Sequence, residues 1–151
     1  MSLDQSRQNG VSLIEVLVTL VILAIGLLGI AGMQVMSVKN TQVAAQRSIA
    51  TQQAYDIAER IRANLDGAAA GAYDALGAVT PAAPVCAPAC TPTDQAIFDH
   101  RAWNLENSRV LPAGTGTVAG TLAAGYVVTL RWTEQSEGGP VVRNFATVVH
   151  P

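Results

Sequence analysis

The sequence predicts an α+β protein in which one long N-terminal helix, apolar in its first half and amphipathic in its second, packs on a small antiparallel β-sheet. Three observations carry that prediction. An uncharged apolar run extends from Val16 to Met33, a helical repeat of apolar residues continues to Leu65, and a two-residue alternation marks Tyr126 to Trp132. An amphipathic helix and a half-hydrophobic sheet each leave one face in need of cover, and packing them together covers both.

Residues 1–10 are a polar leader ending in Gly10, and residues 11–36 open the helix with Glu15 as their one charge. Val16–Met33 carries a single hydroxyl, Thr19. At ~1.5 Å per residue the run is roughly 27 Å long, most of a bilayer core of about 30 Å. A secretory signal peptide is the rival reading, but no small-residue cleavage site follows: Gly32-Met33-Gln34 leads straight into a helical pattern. The count of positive residues does not fix orientation, because Arg7 is offset by Asp4 while Lys39 and Arg47 lie beyond the run. Gly26, Gly29 and Gly32 recur at every third position. Such residues permit close helix approach or local unwinding, and glycine is also simply commoner in membrane helices.

In residues 37–66, Ala50, Ala54, Ile57, Ile61 and Leu65 follow three- and four-residue steps, with Gln46, Arg47, Gln53, Asp56, Arg60 and Asn64 on much of the remaining surface. Asp66-Gly67 is the expected stop, with Gly67 as a left-handed cap. Residues 67–151 form the head. Within it, 67–92 is an Ala-, Gly- and Pro-rich loop expected to be irregular. Thr91-Pro92-Thr93-Asp94 combines a hydroxyl cap, a proline and an acid in the first turn, which predicts a short helix over about 93–108. Phe98, Ala102 and Leu105 would share one face of it, an ordered loop being the alternative. Strands are expected at Gly116–Leu122, around Tyr126–Trp132, and at Val141–Val149 after the turn Glu137-Gly138-Gly139-Pro140, making a three-stranded sheet within 116–149.

With 151 residues and a formal charge of −2, the chain has room for one domain and no general drive towards nucleic acid. Arg101, Arg109, Arg131 and Arg143 are the only candidates for a basic stripe on the head. The two cysteines, Cys86 and Cys90, fit a disulfide formed in an oxidising compartment; it would staple a five-residue loop and contribute roughly 2 kcal/mol. A zinc site would need His100 and His150 as further ligands, at spacings that resemble no zinc module, so no metal is expected. Catalytic signals are equally weak. Asp99 and His100 are sequence neighbours whose side chains diverge, no nucleophile has a recognisable context, and Gly114-Thr115-Gly116 lacks the setting of a dinucleotide loop. The expectation is no enzyme and no cofactor, with Trp103 and Trp132 as core anchors or, alternatively, an exposed interaction surface.

Glu15 carries the functional reading. A carboxylate in lipid costs about 2.5–3.5 kcal/mol on insertion scales, so an ionisable group at this place asks for a partner. Cleavage after Gly10 would create one, the α-amino group of Val11. The residues Gly10-Val11-Ser12-Leu13-Ile14-Glu15-Val16 closely resemble the processing site of type IV pilins and pseudopilins. That resemblance implies a type IV pilin-like fold and a prepilin peptidase that cuts between Gly10 and Val11 and methylates Val11. It also implies an assembly contact between Glu15 and the Val11 amine of a neighbour, although an internal pair is open too. The run Val16–Gln34 and the segment Ala58–Asn64, with Asp99, Trp103 and the Tyr126–Trp132 strand more loosely, are similar to the PilV branch of minor type IV pilins.

The implied protein is a low-abundance subunit that helps initiate pilus assembly at or near the tip, supporting twitching motility and adhesion. Its implied partners are other minor pilins, the major pilin, a tip adhesin and, before assembly, inner-membrane lipid. The head would lie in the periplasm first and at the pilus or cell surface later. Departures from the family pattern are the weakly basic leader, Val11 where phenylalanine is commoner, the lack of a proline in the apolar helix, and a cysteine loop much shorter than that of major pilins. A minor pseudopilin of a type II secretion system and a DNA-uptake pilin are the alternative readings.

Overall fold

A computed structural model describes residues 12–86, 89–136 and 138–151. The chain divides into two compact units, Met1–Gln42 and Val43–Pro151, and helix α1 (Leu13–Ala63) contributes to both. In the first unit the Ser12 carbonyl accepts the opening helical bonds from the Glu15 and Val16 amides, at 3.0 and 3.3 Å. Every residue from Ser12 to Gln42 is exposed. The Thr19 and Thr41 hydroxyls donate to the carbonyls of Val16 and Ser37, at 2.8 and 3.0 Å, so their polarity is satisfied within the helix.

The second unit is the head. Its part of α1 buries Ala50, Ala54, Ile57, Ala58 and Ile61; four of these belong to the stripe expected from the periodicity, whereas Leu65, also expected in it, lies beyond the end of α1 and is exposed. The helix breaks earlier than expected, at Asn64 rather than at Asp66-Gly67. Asn64 leaves helical geometry at φ −129° and ψ 61°, and its side chain caps a second helix, α2 (Leu65–Ala69), by accepting from the Gly67 amide. Its amide nitrogen also donates to the Tyr73 hydroxyl and the Pro92 carbonyl, at 3.0 and 2.7 Å. Asparagine side chains compete with helical backbone bonding in this way, and here three head contacts favour the break. Gly67 is therefore inside a helix and not a left-handed cap. A Cβ there would press on Asn64 and on the Pro92 carbonyl, so glycine serves close approach.

The expected irregular region also holds a short strand, β1 (Ala75–Leu76). With β2 (Thr115–Thr121), β3 (Gly125–Ser136) and β4 (Gly139–Val149) it makes a four-stranded sheet in the order β1-β2-β3-β4, antiparallel throughout. The expected three-stranded sheet thus gains a strand. Two residues paired as Ala75 with Ala119 and Leu76 with Val118 are too few to show a period-two pattern. Along β3, Tyr126, Val128, Leu130 and Trp132 are buried while Val127 and Arg131 are exposed, the alternation of a strand covered on one face.

Helix α3 (Pro92–Val110) starts in a capping box. Thr91 accepts from the Asp94 amide, and the Asp94 carboxylate accepts from the Thr91 amide. Bonding from the Thr91 hydroxyl, then from its backbone, holds the Asp94 carboxyl below its ordinary range. The helix lies with its faces the other way round from the apolar Phe98–Ala102–Leu105 row. Phe98 and Leu105 are exposed, whereas Ala96, Asp99, His100, Trp103, Asn104 and Asn107 are buried. Trp103, fully buried, fixes this orientation: its indole N–H donates to the Gln53 carbonyl at 2.8 Å, and its ring occupies the space that a Cβ on Gly116 would take.

Candidate assembly site

The first candidate element is the N-terminal part of α1. Glu15 lies in its first turn, where a negative charge complements the unpaired backbone N–H groups of the helix start. Around it Leu13, Ile14, Val16, Leu17 and Val18 are each about half exposed or more, and large apolar residues stay exposed as far as Val38. A helix that is apolar on all sides needs lipid or other helices around it. α1 is long and apolar enough to cross a membrane, by length and composition. The glycines Gly26, Gly29 and Gly32 lie within it with open space at their Cβ positions. Gly10 and Val11, the expected cleavage and methylation positions, lie outside the described residues.

In the head, Cys86 and Cys90 are joined as a disulfide with Cα atoms 4.5 Å apart, and both are exposed. The two histidines are engaged separately. His100 Nε2 lies 2.7 Å from the Gly77 carbonyl and 2.9 Å from the Asn104 side-chain nitrogen. The His150 backbone carbonyl accepts from Arg62 at 3.1 Å. Among the described residues no three His, Cys, Asp or Glu side chains gather as a metal site.

The head is organised by a polar network. Asp99, 5% exposed, accepts from the Tyr73 hydroxyl at 2.6 Å and from Gln95 at 3.0 Å, and Arg60 Nη1 lies 3.6 Å away. Arg60 also donates to Asp56 at 2.9 Å. Asn104 donates to the Gly77 carbonyl at 3.1 Å and accepts from the Gly116 amide at 2.8 Å, tying α3 to the chain on both sides. Burial, then the bond to Asp99, pushes the Tyr73 hydroxyl far above its ordinary range. Burial, then the charge of Asp74, raises Tyr126 to about 12. A signal for this network was present in the sequence: Ala96, Asp99, His100, Trp103, Asn104 and Asn107 follow helical steps on one face.

The four arginines considered for a basic stripe are dispersed. Arg101 donates to the Pro81 carbonyl at 2.8 Å, and Arg109 pairs with Glu106 at 3.2 Å. Arg131 and Arg143 project from opposite faces of the sheet, since Arg143 is registered against Trp132 and not against Arg131.

Comparison with known families gives two adjoining matches. Residues 5–31 match the prokaryotic N-terminal methylation motif, and residues 32–101 match the type IV pilin Tt1218 family. A prepilin-type N-terminus followed directly by a pilin domain supports a type IV pilin, and the long helix with its antiparallel sheet has the α+β fold of that class. Type IV pilins are structural subunits of a filament, and the motif implies processing by prepilin peptidase and assembly with other pilins. The apolar helix and the motif fit membrane anchoring followed by pilus assembly. No curated protein and no solved structure matched in the corresponding searches.

Proposed function

We propose that the protein is a minor subunit of a type IV pilus, held in the inner membrane with its head in the periplasm. It helps initiate the filament, enters it at or near the tip and supports twitching motility and adhesion. Other minor pilins, the major pilin and a tip adhesin are its partners. Prepilin peptidase cuts between Gly10 and Val11 and methylates Val11, and Glu15 then meets the Val11 amine of a neighbouring subunit. The observation that carries this reading is the helix start: one carboxylate in the first turn of a segment that is otherwise uncharged, mostly apolar and exposed as far as Val38. An α-amine keeps its positive charge near neutral pH, and pairing it with Glu15 removes two isolated charges from a low-dielectric setting. The similarity of Val16–Gln34 to the PilV branch supports the minor-pilin assignment.

The test is the mass of the protein recovered from membranes, for the wild type and for Gly10→Leu. The wild type should lack residues 1–10 and carry one added methyl group, and Gly10→Leu should remain full length. Normal processing of the leucine variant would contradict the reading.

A further inference from the structure

Between α1 and the outer strand β4 the head carries a half-open groove of about 460 Å³, lined by Arg47, Thr51, Trp132, Arg143, Asn144 and Phe145. It exists because the cover over the inner face of the sheet thins along β4. Val149, Phe145 and Arg143 oppose Tyr126, Leu130 and Trp132 on that face, and they pass from buried through half-buried to exposed.

Three features of the groove ask for an anion. Trp132 is only 3% exposed, yet its indole N–H has no hydrogen-bond partner among the described residues; the equivalent group of Trp103 is bonded. An indole N–H only donates, so what is missing is an acceptor. Arg47 is exposed and has no ion pair among the described residues. Arg143 lies 3.4 Å from the buried Glu134 carboxylate, which offsets one of the two positive charges and leaves one over.

We propose that this groove binds the carboxylate of an acidic side chain carried on an extended segment of a partner protein. A single net positive charge matches a monoanion, and the two oxygens of a carboxylate can meet a guanidinium and a second donor together. A free small acid would have few walls around it in a half-open groove. An extended segment gains more, because β4 is the last strand of the sheet and its outer edge is unpaired among the described residues, ready to pair with an added strand. The inference needs only the folded chain and is independent of the filament role.

The test is a ¹⁵N–¹H titration of the full chain in detergent micelles, following its two indole signals, with Trp132→Phe to assign them. The probe is the acetylated, amidated peptide Thr-Val-Glu-Val-Thr, with its Gln counterpart and inorganic phosphate as controls. The Trp132 signal should move saturably with the Glu peptide while the Trp103 signal stays, and Arg47→Glu should weaken the effect by about tenfold or more. An unmoved Trp103 signal in that variant reports an intact head. The proposal fails if Trp132 does not respond, if the Gln peptide or phosphate acts as strongly, or if Arg47→Glu binds like the wild type.

Discussion

At the scale of single residues, the head depends on polar groups that are buried and bonded. Tyr73 donates to Asp99 and accepts from Asn64, so one hydroxyl links the segment after α2 to α3 and to the break in α1. Its pKa is raised by burial and by Asp99, and that of Tyr126 by burial and Asp74. A folded value above the unfolded one means that the stabilisation is whole below the ordinary tyrosine value of about 10 and is lost as pH climbs through the folded value. The melting temperature should therefore hold up to about pH 10 and fall towards pH 12. Tyr73→Phe should cost roughly 1 kcal/mol at neutral pH and flatten the alkaline fall; a melting profile of this variant parallel to the wild type above pH 10 would contradict the assignment. The α3 side of this network follows helical steps in the sequence, but its partners could not be read there, because Tyr73 and Asp99 are distant along the chain and meet only through the fold. Trp103 and Trp132 were legible as core residues because indole area is rarely left exposed, but the difference between their N–H groups was not.

At the scale of elements, the long helix, the capped start of α3 and the β3–β4 hairpin could be read because each repeats a local rule: a helical period, a Thr91–Asp94 box, a two-residue alternation bounded by glycine. What escaped was governed by tertiary contact. α1 breaks at Asn64 because its side chain finds partners outside the helix, and β1 is too short to show a pattern. α3 turns its Phe98–Leu105 row outward because Trp103 fills the interface and the polar residues beside it are bonded there. Gly116 makes that interface possible, and Gly116→Ala should push into the Trp103 ring and destabilise the head by about 1–3 kcal/mol, measured by chemical denaturation. A variant of unchanged stability would mean that the helix–sheet contact is looser than described. The Cys86–Cys90 staple should matter less. Replacing both by serine should cost roughly 2 kcal/mol or less and leave the head folded, since the loop is short and both cysteines are exposed; alkylation of both thiols without prior reduction would show that the bond is absent from the mature protein.

At the scale of the whole molecule, the chain divides its chemistry between two units. The head has its own core, which takes in the second part of α1. The first part of α1 buries nothing within the chain, so its apolar surface has to be met by lipid or by other subunits. The sequence itself carries a contrast between an apolar helix half, with Glu15 as its one charge, and an amphipathic half after it. On the proposed function, Glu15 serves assembly and not merely insertion. Removing its charge should make insertion easier, while an arriving amine would lose its counter-charge where such losses are large. The direct measurement is the amount of Glu15→Gln protein in sheared, purified pili relative to the amount left in membranes, with leader cleavage monitored in parallel. Normal cleavage, normal membrane levels and marked depletion from pili are expected; wild-type incorporation with cleavage intact would contradict a role in assembly and leave that task to the head.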